Sequence, residues 1–213
     1  MPYISFSDVF IEFIVLLFSL TIHESAHAWS ADRLGDPTAR MLGRVSLNPI
    51  VHADLVGTVI FPLMAMFSRV PLLGWAKPVP VNIRNLRRHR RDYVLVAAAG
   101  PASNLVLAVA AALALAFVPV SPFTIGEPNV SAPLARLLSV ALQLNVLLAV
   151  FNMVPIPPLD GGNVLSGLLP DRLAAVFDRI RPYGFMLLYA LMFSGALSYF
   201  VFPVVARIVS WLT

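Results

Sequence analysis

Four stretches of this chain are too apolar and too long to sit inside a water-soluble fold: about Val9–Ala31, Tyr93–Ile125, Leu137–Leu159 and Tyr183–Ala206. The last three hold no charged residue, and each can cross a hydrocarbon layer of ~30 Å as a helix. Charged residues are 12% of the 213, about half the share in an ordinary globular domain. A soluble domain of this size cannot bury so much apolar surface. The pattern excludes a soluble enzyme, a disordered chain and a secreted disulfide scaffold. The absence of cysteine excludes thiol catalysis and Cys-type zinc sites as well. What remains is an all-α polytopic membrane protein with about 4–5 membrane helices.

Eighteen prolines predict broken helices and irregular backbone within the membrane, tolerable where it is buried in protein or lines a cavity. Leu55–Ser68 contains Pro62 and reaches only about 21 Å as a helix, so it reads as a short, tilted or re-entrant piece. In Gly74-Trp75-Ala76-Lys77-Pro78-Val79-Pro80-Val81-Asn82 the alternating prolines forbid a helix, and the segment is expected to be extended. The first apolar segment has Asp8 at its edge and Glu12 inside, with no basic region before it. It therefore reads as a retained helix, not a cleaved signal. No internal repeat or linker divides the chain, so residues 1–213 are expected to form one membrane-embedded domain.

The net charge of +4 would suit a nucleic-acid partner if it were spread over a surface, but the arginines are clustered beside apolar segments. Arg33, Arg40, Arg44, the run Arg84–Arg91, Arg172, Arg179 and Arg181 lie in loops on one side, against Arg136 and Arg207 on the other. The positive-inside rule places the first group in the cytoplasm and both chain ends outside. The Arg84–Arg91 run then meets anionic headgroups of the bilayer, and no nucleic-acid partner is expected.

Within the first apolar segment, His23-Glu24-Ser25-Ala26-His27 is an H-E-x-x-H motif. Residues four apart lie about 40° from each other on one helix face, so both imidazoles can reach one metal ion. Glu24 stands beside them, placed to take a proton from water. Such polar residues are costly inside hydrocarbon without partners, which favours a site over chance. A catalytic zinc needs a third protein ligand and an open fourth position. His52, Asp54 and Asp160 are the candidates in apolar surroundings. Asp160 stands out because it follows the helix-breaking Pro155, Pro157 and Pro158 and precedes Gly161-Gly162, an arrangement suited to turning a carboxylate into a cavity. His52 and Asp54 could instead contact the ligands from behind. Asn104 could hydrogen-bond in the site or simply pack between helices. Glu12 lies about 16 Å along the helix from His23, too far to share its metal.

The H-E-x-x-H helix, the Gly100-Pro101-Ala102-Ser103-Asn104 helix start and the segment from Asn152 to Leu159-Asp160-Gly161 together resemble the site-2 protease family of intramembrane zinc metalloproteases. The resemblance runs from about Thr21 to Gly167. It implies one catalytic Zn2+, with Asp160 as third ligand beside His23 and His27, and Glu24 as general base. It implies that Asn152 lies beside the substrate, a transmembrane protein. It likens Gly74, Trp75, Ala76, Lys77, Pro78 and Val79 to the family's membrane-associated β-loop, which holds an extended substrate. Better-known bacterial members carry a periplasmic PDZ domain, and the loop Ser121–Pro133 is too short for one, so a compact branch without that domain is expected. The rival readings are a divalent-metal transporter, which predicts ligands strung along a path on several helices, and a catalytically silent membrane binding protein.

Overall fold

The computed structural model describes residues 6–62, 64, 76–118 and 131–213. Among them, three long helices carry the fold: α1 (Phe6–Arg33), α4 (His89–Ala116) and α5 (Ser131–Asn152). Short helices α2 (Thr38–Met41) and α3 (Pro49–His52) follow α1. Beyond α5 come α6 (Asp160–Leu168), α7 (Asp171–Ile180), α8 (Gly184–Phe193) and α9 (Ala196–Leu212).

Helix α4 is the centre of the packing, lying against α1, α5 and α6. Its Ala108, Ala111 and Ala112 meet Leu142 and Val146 of α5. Small side chains let the two backbones approach closely, the usual means of helix association in lipid. Leu159, Leu188, Leu197 and Val201 form a second cluster beneath α8 and α9. Outward, Phe18, Val106, Leu113, Tyr199 and Phe200 are exposed. Such an apolar surface is at home against lipid, not water.

The loop after α1 is held by one carboxylate. Asp36, fully buried, accepts from the backbone N–H groups of Asn82 (2.6 Å) and Thr38 (3.2 Å), from Asn85 Nδ2 (2.9 Å) and from the Thr38 hydroxyl. Burial by itself would raise this carboxyl, but the donors from Thr38, Asn85 and Asn82 outweigh it and hold it below the usual carboxylate range.

Two expectations from the sequence are corrected here. The first is the count of about 4–5 membrane helices. Among the described residues, three helices, α1, α4 and α5, are long and apolar enough to cross a membrane, and the number rises to four only if the bent pair Asp171–Phe193 and Ala196–Leu212 is one span. The uncharged run Tyr183–Ala206 is broken by a 76° bend at Gly195, whose φ of +76° is left-handed and which glycine adopts without a Cβ penalty. Leu55–Ile60 is a π-helix capped by Asp54, and much of the expected helix to Ser68 lies outside the described residues.

The second is the small β-loop. Among the described residues there is no β-strand, and Ala76–Asn82 is irregular. Pro78 and Pro80 have no N–H to give to a ladder. The N–H groups of Lys77 and Val79 are used instead on His52 O (2.9 Å) and Glu24 Oε2 (3.0 Å). The segment is thus strapped onto the helical core, where Ala76 packs with Leu16 and Leu20 of α1. Gly74 and Trp75, and most of the Ser121–Pro133 loop, lie outside the described residues.

Candidate metal centre

His23 and His27 project from one face of α1, and Asp160 opens α6 directly after the proline-rich turn. The structure brings these three together although 137 residues separate His23 from Asp160. Asp160 Oδ2 lies 3.0 Å from His23 Nε2 and 3.3 Å from His27 Nε2, and the two Nε2 atoms are 3.1 Å apart. Ligand atoms on a tetrahedral zinc, each about 2.0–2.1 Å from it, sit roughly 3.3 Å from one another. The three edges therefore match one face of such a tetrahedron.

The protonation of the two imidazoles follows from their outer partners. His27 Nδ1 lies 2.7 Å from the Val96 carbonyl, which can only accept, so Nδ1 carries the proton. His23 Nδ1 lies 2.6 Å from Asn104 Oδ1, again an acceptor. In the neutral rings both Nε2 atoms then present lone pairs to each other and to the Asp160 carboxylate. Three acceptors so close repel, and a cation among them removes the conflict. Hence His23, His27 and Asp160 form a cluster capable of coordinating a metal ion.

Space for that ion is kept by Gly100 of α4. A Cβ there would stand 2.3 Å from His27 Nε2 and 2.6 Å from His23 Nε2, in the midst of the ligand atoms. Gly161 has a related task at the turn, since its Cβ would fall 2.3 Å from the Met153 carbonyl oxygen. It lets the start of α6 lie flat on the preceding bend.

Glu24, half-buried, sits next to His23 on α1 and accepts the Val79 N–H through Oε2. The other expected residues divide. Asn104 reaches the cluster by its bond to His23. His52 does not touch the three: its Nε2 lies 2.7 Å from Ser46 O and 3.3 Å from the hydroxyl of Ser25, within the motif. Asp54 Oδ1 caps Val56 and Gly57. Asn152 Nδ2 donates to Leu148 O in its own helix at 3.0 Å. Ala76, Lys77, Pro78 and Val79 lie on the strap, and Val79 hydrogen-bonds the motif at Glu24. Two residues escaped the sequence reading, Ser19 and Asn145. Both are buried and both are linked to Asn104. The signal available for Asn145 was an asparagine in an uncharged run, which needs a partner inside a membrane.

The model of peptidase family M50 matches residues 119–195. The chain is 38% identical over 190 residues to the Bacillus subtilis protein named "Putative zinc metalloprotease YwhC", covering 89% of this chain and 83% of that one. It is 29% identical over 205 residues to "Putative zinc metalloprotease Rip2" of Mycolicibacterium smegmatis, covering 95% and 74%. It is 30% identical over 206 residues to the protein of the same name in Mycobacterium tuberculosis, again covering 95% and 74%. No solved structure matches the chain at a significant level.

Proposed function

This chain belongs to peptidase family M50, the site-2 protease family, and we propose that it is an intramembrane zinc metalloendopeptidase. Its substrates are transmembrane or membrane-associated proteins, cut near the cytoplasmic side of the bilayer. The observation that carries the reading is the convergence of His23, His27 and Asp160 Oδ2, with both outer imidazole nitrogens committed to acceptors, beside the carboxylate of Glu24. The residue set fits zinc in donor chemistry, in spacing and in the clearance left by Gly100.

In this reading His23, His27 and Asp160 hold the ion. Zinc bound there would acidify a water and polarise a peptide carbonyl. Glu24 accepts the proton of the attacking water and returns it to the leaving nitrogen. Its link to the Val79 N–H keeps the carboxylate aimed while one oxygen exchanges the proton. Carbonyl oxygens of the strap residues Ala76–Val79, together with Gly74, Trp75 and Asn152, accept from substrate backbone N–H groups, since the N–H groups of Lys77 and Val79 are already committed. The substrate is cut where its helix has unwound, because a helical carbonyl is committed to its own hydrogen bond. The whole chain acts as one membrane-embedded domain of the compact branch without a PDZ domain.

A divalent-metal transporter would string ligands along a path. Among the described residues, the grouping of histidines and acids suited to a metal is this one cluster. A silent binding protein would have no need of Glu24 in the motif. The test is Glu24→Gln in purified protein. It is expected to keep zinc at parent stoichiometry while cleavage of a transmembrane reporter falls by about 10²–10⁴. Cleavage at the parent rate would refute the role of Glu24.

A further inference from the structure

Behind His23 a chain of polar side chains crosses three membrane helices. His23 of α1 meets Asn104 of α4. Asn104 Nδ2 donates to Asn145 Oδ1 of α5 at 2.8 Å and to the Ser19 carbonyl of α1 at 3.4 Å. Asn145 Nδ2 in turn donates to Ser19 Oγ (2.9 Å) and to Ala141 O (2.8 Å). Asn104, Asn145 and Ser19 are 0%, 2% and 2% exposed.

The direction of this chain is forced. Ala141 O can only accept, so the nitrogen of Asn145 must face it and the oxygen must face Asn104. The Asn145 oxygen and the Ser19 carbonyl then both demand the nitrogen of Asn104, which turns Asn104 Oδ1 toward His23. Were Asn104 flipped, its NH2 would face His23 Nδ1, and the ring would carry its proton on Nε2. That proton would point at His27 and Asp160, where the lone pair is needed for a metal.

We propose that Asn145, together with Ser19, is a positioning residue of the metal site, fixing the amide of Asn104 and through it the tautomer and setting of His23. The inference rests on the metal site of the preceding subsection and deepens it. The hydrogen bonds of Asn145 go to Asn104, Ser19 and Ala141, not to His23, His27 or Asp160. It acts two hydrogen bonds away, as outer partners of metal ligands do.

The test uses the full-length protein in detergent, with zinc alone as probe and a competing chelator to read its dissociation constant. Asn145→Leu is expected to weaken zinc about 10–100-fold, and Ser19→Ala, which removes one hydroxyl, by several-fold. In an Asn104→Leu background neither change adds a further loss, because both act through Asn104. A packing role would instead give losses that add, and additive losses overturn the proposal. So does zinc affinity unchanged within two-fold in Asn145→Leu. Should Asn145→Leu fail to fold, Ser19→Ala decides by the same two criteria. Asp160→Ala is the reference. If it binds zinc as tightly as the parent, the site reading fails and this inference falls with it. If it loses zinc while Asn145→Leu and Ser19→Ala do not, the inference alone fails.

Discussion

His23 and His27 look equivalent in the sequence, yet the protein holds them differently. The outer nitrogen of His27 rests on a backbone carbonyl, whereas that of His23 rests on a side chain. Mutation can therefore reset the tautomer of one ligand and not of the other. Gly100 sets a second limit at this scale. Gly100→Ala is expected to abolish tight zinc binding, since the new methyl group occupies the space between the two Nε2 atoms. Zinc content after dialysis checks it, and full retention would mean that α4 can retreat from α1. The cluster of His23, His27 and Asp160 was legible in the sequence, the histidines through helical spacing and Asp160 through its proline–glycine break taken together with the family resemblance. Gly100 as a spacer and Asn145 as a support were not. Their meaning depends on how closely α1, α4 and α5 cross, which no local pattern encodes.

At the scale of elements, the clearest readable feature was the long uncharged helices, and the least readable was how irregular pieces close on them. Prolines announced that residues 76–82 would not be helical. They did not announce that the N–H groups left would go to His52 and Glu24 instead of to a strand. The run Tyr183–Ala206 concealed its bend because Gly195 is one of many small residues in apolar helices. Gly195→Ala meets no neighbour within 4 Å, so its cost is backbone strain alone, about 1–2 kcal/mol. Thermal unfolding in detergent measures it, and no loss would mean the bend relaxes. Asp36 ties the end of α1 to Asn82 and Asn85, outside the spans. Its folded carboxyl titrates below its unfolded value, so its contribution is complete above pH ~5 and lost as pH falls through the unfolded and then the folded value. Asp36→Asn should flatten the acid limb of stability between pH ~5 and the acid transition. Unfolding curves across that range test the slope.

For the whole molecule, the distribution of arginine predicts orientation. The chain lacks cysteine, so each introduced thiol reports alone. A cysteine at position 88 is expected to react only after the inner face is opened, and one at position 136 from outside in intact cells. The reverse pattern would turn the proposed cytoplasmic active site to the other face. Chelation should remove both cleavage and the stability contributed by bound metal, with zinc restoring the two together.

The buried cluster also has a consequence in charge arithmetic. Two neutral imidazoles add nothing, Asp160 and Glu24 add two negative charges, and a divalent ion adds two positive ones, so the loaded centre sums to zero within the apolar slab. Stripped of its ion, the same centre would leave two negative charges in a medium that solvates ions poorly, so protons must be taken up in the ion's place. Loading the ion is thus an exchange of protons for metal, and occupancy of such a centre is expected to fall as the medium becomes more acidic.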